Sequence, residues 1–155
     1  TPLGVSILTN KIKKIMPELK TYDLFISHAW RYNGDYYRLE KLLKEAPLFK
    51  WRNYSVPEHD PLVDPNTTVG KVKLTDLLKN QIRPVNCIII LGGMYAHYSD
   101  WILKEIELAN SYNKPIIAVY PWGQKNMPKV VQDAADEIVY WQTSSIIDAI
   151  RRNSI

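Results

Sequence analysis

The run "VNCIIILGG", residues 85–93, is apolar without a break from Cys87 to Leu91 and stops on two glycines. A strand with one face in water alternates apolar and polar residues, because successive side chains point to opposite faces. This run does not alternate. It is rich in β-branched residues and bounded by turn formers, so it reads as a central strand buried on both faces. Such a strand needs helices above and below it, which the rest of the chain must supply.

The rest of the chain does so. "YDLFIS" (residues 22–27) is a second buried strand. "GDYYRLEKLLKEA" (34–46) is an amphipathic helix with Leu39, Leu42 and Leu43 on one face and Asp35 as its cap. "FKWRNYSV" (49–56) alternates, as a more exposed strand does. Pro57, Pro61, Pro65 and Gly70 mark residues 57–70 as a long loop, and "KVKLTDLLKNQI" (71–82) as a helix follows. Beyond the central strand come a helix over 99–113, capped by Ser99 or Asp100, and a strand over 115–122. A short helix over 127–136, a strand over 137–141 and a closing helix over 143–152 complete the chain.

Strand and helix alternate five times. That is the pattern of an α/β fold: a five-stranded parallel sheet with helices on both faces. "SILTNKIKKIM" (6–16) has near-helical apolar spacing and Pro17 stops it. Residues 1–20 are therefore expected to be an N-terminal helical segment and residues 21–155 the domain proper. The chain opens on Thr1, as a processed or excised piece would, with charges after its apolar residues, the reverse of a signal peptide.

Open parallel sheets bind ligands at the carboxyl ends of their strands. Here those ends gather Ser27, His28, Trp30, Tyr54, Tyr95, His97, Tyr98, Trp122 and, from the following helix, Glu105. This rim is aromatic and poor in charge, which suits a planar ligand such as a purine or a nicotinamide ring. The net charge of +4 agrees with an anionic partner such as a nucleotide. It is too small for a nucleic-acid binder, and no nucleic-acid partner is expected. Neither a Walker loop nor G-x-G-x-x-G follows any strand, and G-x-S-x-G is missing. His59, in "PEHD", has no ligand partner at a metal-binding spacing, so no metal is expected. Cys87 is the sole cysteine and lies mid-strand, which points to a structural role and a cytoplasmic, reducing location. The longest apolar run is far too short to span a membrane.

"SDWILKEIE", residues 99–107, carries two carboxylates two positions apart. On a helix they lie roughly 200° apart and cannot share a face. Trp101 and Glu105 are four apart and do share one. If Trp101 packs under the rim, Glu105 turns toward the cleft and Glu107 away from it. The plainer alternative makes Glu105 a solvated carboxylate paired with a nearby Lys.

"YDLFISHAW" and "SDWILKEIELA" together resemble two boxes of the Toll/interleukin receptor (TIR) domain family. The first box is aromatic-Asp-hydrophobic-Phe-hydrophobic-Ser. The second is Ser-x-Trp-x-x-x-Glu-hydrophobic. The likeness is closest to bacterial TIR-like antiphage proteins of the Thoeris type, and it spans roughly residues 21–152. It implies a flavodoxin-like TIR fold and an NAD-cleaving enzyme, an NAD glycohydrolase or ADP-ribosyl cyclase. Glu105 becomes the catalytic carboxylate, with Ser27, His28, Trp30, Arg31, Tyr54, Tyr95 and Trp101 at the substrate. NAD is substrate and no cofactor is implied. The resemblance further implies TIR–TIR self-association, a nucleotide signal and an effector protein that receives it. Two departures stand out. The loop "SVPEHDPLVDPNTTVGK" lacks the family's short Pro-Gly form. The basic pair after the first box is missing, which leaves phosphate contacts to Arg31, Arg52 or Lys71. The alternatives are a non-catalytic TIR scaffold and a nucleotide-binding sensor of the flavodoxin-like class.

Overall fold

A computed structural model describes residues 20–27, 34–55, 67–92, 99–123 and 125–155; at Ser99 and Asp100 it describes the backbone alone. The expected helix over residues 6–16 lies outside them, as does most of the loop before Thr67. Strand β1 (Thr21–Ser27) leads to helix α1 (Gly34–Glu45), β2 (Lys50–Asn53), α2 (Thr68–Ile82) and β3 (Cys87–Leu91). Then follow α3 (Ser99–Ser111), β4 (Ile116–Val119), α4 (Lys129–Ala134), β5 (Glu137–Val139) and α5 (Thr143–Asn153).

All five strands are parallel, in the order β2-β1-β3-β4-β5. This is the flavodoxin-like arrangement that the alternation and the resemblance imply. Every residue of β3 is buried, and Leu24, Phe25 and Ile26 of β1 are fully enclosed beside it. The chain first steps from β1 outward to β2, then crosses back over β1 to β3. Right-handed crossovers put helices made in opposite directions on opposite faces. So α1 covers one face while α2, α3 and α4 cover the other; α5 joins α1, which it touches.

Each helix turns an apolar stripe inward at helical spacing. In α1 this is Tyr36, Leu39 and Leu43; in α2 it is Leu74, Leu78 and Ile82. In α5 it is Ile146, Ile147, Ala149 and Ile150. Burying one such Leu or Ile contributes about 1.5–3 kcal/mol, so the two covering layers hold the sheet.

Several boundaries differ from the sequence reading for local reasons. Strand β2 ends at Asn53 because the Asn53 side chain accepts the Ser55 N–H at 2.9 Å, turning the backbone out of the ladder. Helix α2 starts at Thr68, so Gly70 is not loop but first helical turn. Thr67 is the cap, its hydroxyl accepting the Gly70 N–H at 2.9 Å. Helix α3 ends at Ser111 in a Schellman motif. Asn113 takes the left-handed conformation (φ 55°), and Lys114 N–H reaches back to Ala109 O at 2.8 Å. Helix α4 is shorter than expected, since Ala135 is already extended.

The cap gives a direct check on where α2 begins. Thr67→Ala is expected to lower stability by about 1 kcal/mol, read from the urea midpoint, while Thr67→Ser stays near wild type. An unchanged midpoint in the alanine variant would mean that α2 does not depend on this cap.

Candidate active site

Strand order reverses between β1 and β3, and in sheets of this order ligands bind outside the carboxyl ends at that point. Ser27 is the last residue of β1 and therefore stands at the reversal. The sheet is pinned on both sides there. The Ile26 N–H donates to Ser55 Oγ at 3.0 Å beyond the end of β2, and Gly92 N–H donates to Val119 O at 2.8 Å. At Gly92 a side chain would have to displace the end of the Met127 side chain. A Cβ there would come within 2.9 Å of Met127 Cε and 3.4 Å of the Asn126 carbonyl.

Helix α3 brings Glu105 to the same point. Its inward stripe is Ile102, Glu105, Ile106 and Ala109, spaced by three and four residues, so helix geometry alone sends Glu105 toward the sheet. Glu105 is 6% exposed and Ser27 is 0% exposed. The Ser27 hydroxyl donates to Glu105 Oε2, a contact between residues 78 apart in sequence. Glu107 points the other way. Its side chain is 71% exposed and sits 3.7 Å from Lys104 Nζ. The lysine-paired, solvated carboxylate on this helix is thus Glu107, while Glu105 is buried.

Burial pushes the Glu105 carboxyl up to about 8, against an ordinary 4.5; the Ser27 hydroxyl pulls it partway back. Among the described residues no cation pairs with it. Elsewhere the chain treats its carboxylates differently. Asp23 is held by Arg52 through two hydrogen bonds of 2.6 and 3.1 Å. Glu137 is paired with Arg152, which lowers its carboxyl.

The other expected site residues divide into two groups. Tyr54 and Trp101 are half-buried and pack against the core near the rim. Trp101 shares its side of α3 with Glu105, as the spacing requires. His28, Trp30, Arg31 and Tyr95 lie outside the described residues, as do His59, His97 and Tyr98. Two proposed contacts fail to join the site. Arg52 is tied to Asp23, four strand residues or about 13 Å below Ser27. Trp122 is 67% exposed and lines a different cavity of about 620 Å³, with Leu42, Pro47 and Trp141 beside α1. That cavity is on the α1 face, whereas Glu105 comes from the α3 face.

Asp35, a helix cap by its sequence position, is a further rim residue. Asp35 lies inside the first turn of α1, is 5% exposed and meets Arg38 Nη1 at 2.8 Å. Ser27, Asp35 and Glu105 are the three buried polar side chains among the described residues, and all three belong to the carboxyl-end rim. The acid-base pair at positions 35 and 38 is the sequence signal for Asp35. Among the described residues no group of three His, Cys, Asp or Glu is placed to hold a metal. No described helix is long and apolar enough to cross a membrane. Cys87 is the first residue of β3 rather than mid-strand; it is buried, and desolvation pushes its thiol up to about 12.

The sheet order is that of a flavodoxin-like α/β domain, consistent with a TIR-like fold. The family model for the TIR-like domain of Thoeris protein ThsB matches residues 25–126, well over half of the chain. This chain belongs to that family, a family of antiphage defence. A conserved protein from Enterococcus faecalis V583 has the same fold. Its TM-score is 0.58 at 9% identity, over 86% of this chain and 99% of that one. A 3-dehydroquinate dehydratase-like protein from Bifidobacterium longum aligns at a TM-score of 0.48 and 10% identity, over 86% and 94% of the two chains. The Clostridium botulinum CMP N-glycosidase BcmB aligns at 0.47 and 14%, over 83% and 97%. These last two are too distant to support any argument. No curated protein matches this chain.

The Glu105 carboxyl has a consequence for stability. Its folded value, about 8, lies above the ordinary 4.5 of the unfolded chain. Between those values the folded chain keeps a proton that the unfolded chain has released. The contribution is therefore full below about pH 4.5 and is lost as pH rises through about 8, with a limiting slope of about 1.4 kcal/mol per pH unit. Glu105→Gln is expected to remove this slope, so the variant gains on wild type between pH 5 and 9 in urea titrations. Parallel curves for the two proteins would mean that Glu105 titrates as a solvated carboxylate.

Proposed function

We propose that this protein cleaves the bond between nicotinamide and ribose in NAD, with Glu105 as the catalytic carboxylate. The observation that supports this best is the buried Glu105–Ser27 pair at the β1/β3 reversal point. The family's antiphage context agrees with it.

The chemistry asks little more of the chain than such a group. As the bond from ribose C1′ to the ring nitrogen breaks, its electron pair neutralises the pyridinium charge and nicotinamide leaves. The ribosyl centre becomes cation-like, and a carboxylate beside it stabilises that charge in a site where few water dipoles compete. A water oxygen adding to C1′, with loss of a proton, gives linear ADP-ribose. An adenine ring nitrogen adding instead gives a cyclic isomer. No metal or cofactor takes part, and NAD is consumed as substrate.

Burial keeps the Glu105 carboxyl largely protonated at neutral pH in the free protein. A bound pyridinium ring brings a positive charge beside it, and a nearby opposite charge favours the ionised form. The substrate thus helps to ionise the group that acts on it. His28, Trp30, Arg31, Tyr54, Tyr95 and Trp101 are proposed to hold the rest of NAD, with Arg31 and Lys71 as phosphate contacts. The aromatic character of this set favours stacking of both rings and exclusion of water. The cyclic isomer is accordingly proposed as the main product, a signal for a separate effector. Self-association through TIR–TIR contacts and a cytoplasmic location complete the reading. The competing reading is a TIR scaffold that works through protein contacts alone. A carboxyl buried with no cationic partner among the described residues favours the catalytic reading over the scaffold.

Incubation with NAD, with products separated by chromatography and mass, tests this. Nicotinamide and an ADP-ribose product are expected, with kcat/KM rising with pH toward a midpoint near that of free Glu105. Glu105→Gln should lose a hundredfold or more in rate, roughly 3 kcal/mol of transition-state stabilisation, and Glu107→Gln should lose almost none. Equal activity in the two variants would contradict the assignment, and NAD left intact at all pH values would favour the scaffold.

A further inference from the structure

Ser27 is expected from the resemblance to touch substrate, yet its hydroxyl is already engaged with Glu105. Both side chains are sealed from solvent, and they arrive from different layers, one from the tip of β1 and one from α3. The hydroxyl is the donor and Glu105 Oε2 the acceptor. A charged carboxylate accepts such a bond more strongly than a neutral one, so the contact favours the charged form.

Among the described residues, the charged groups on the surrounding elements are paired elsewhere or lie toward solvent. On α3 itself Lys104 faces Glu107. On α2, which packs against α3, Lys71, Lys73 and Asp76 are exposed and Lys79 is half-buried. On β1 Asp23 is paired with Arg52, and β3 carries no charge. Among the described residues, burial raises the Glu105 carboxyl and the Ser27 hydroxyl lowers it.

We propose that Ser27 is a positioning residue, whose hydroxyl fixes the Glu105 carboxyl at the tip of β1 and sets the pH range in which that carboxyl carries its charge. This deepens the catalytic reading of Glu105 and, for its effect on turnover, rests on it. It assigns Ser27 a task on the protein's own carboxylate rather than on substrate.

The test follows the carboxyl itself in the whole chain, without NAD. Glutamate labelled with ¹³C at the side-chain carboxyl gives one resonance per residue, and the Glu105 signal is the one that Glu105→Gln removes. A hydrogen bond to a charged group supports an expected rise in the Glu105 midpoint of about one to two pH units in Ser27→Ala. Ser27→Thr, which keeps the hydroxyl, should return it toward wild type. With NAD present, Ser27→Ala should lose about tenfold or more at pH 7 and recover as pH is raised, its profile moving by the same interval. A Glu105 midpoint that stays put or falls in Ser27→Ala overturns the proposal. If no variant cleaves NAD at any pH, the function proposed above fails, while the titration still decides the role of Ser27.

Discussion

Strand β3 cannot face water on either side, and the fold is built around that constraint. Cys87 to Leu91 are all buried, so both faces of the sheet centre need helical cover. Right-handed crossovers meet the need by stepping β1 to β2 in one direction and returning over β1 to β3 in the other. The reversal that this creates leaves two helices departing to opposite faces above neighbouring strands. Ser27 ends its strand there. Glu105 reaches it because α3, the helix that follows β3, has to turn a stripe toward the sheet and residue 105 falls on that stripe.

The chain's handling of its carboxylates is uneven. Asp23 and Glu137 are half-buried and paired with arginines, and Asp35 has Arg38. Glu105 has a single hydroxyl and no described cation, deep in a layer otherwise filled by Ile102, Ile106 and Ala109. For stability alone an apolar residue at this position would serve better, because burying a carboxyl with one hydrogen bond is unfavourable. Local rules broken in this way gather at functional positions. That is the physical ground for reading residue 105 as a site for cationic chemistry rather than as part of the scaffold.

Much of this is legible in the sequence because it follows from periodicity. The unbroken run at β3 fixes the sheet type, and the four-residue step from Trp101 sends Glu105 inward and Glu107 outward. What escapes is set by single hydrogen bonds that periodicity does not report. Nothing in the alternation of residues 49–56 announces that the Asn53 side chain captures Ser55 N–H and ends β2 early. Gly70 reads as a loop residue until Thr67 is seen to cap it. Tertiary contacts are harder still. Asp35 resembles an ordinary cap, and Trp122 reads as a rim aromatic although the turn after β4 carries it toward the α1 face. The bond between Ser27 and Glu105 joins two boxes of the sequence that can be recognised separately, but only the fold brings them into contact.

The most direct measurement is a crystal structure of the Glu105→Gln protein with NAD bound. The substitution keeps the shape of the side chain and slows turnover. The account expects the nicotinamide ribose above the β1/β3 junction, with C1′ within about 3.5 Å of the residue 105 side chain, the distance of a group poised to act. NAD bound with its nicotinamide ribose elsewhere, for example in the cavity lined by Trp122 and Trp141, would contradict it.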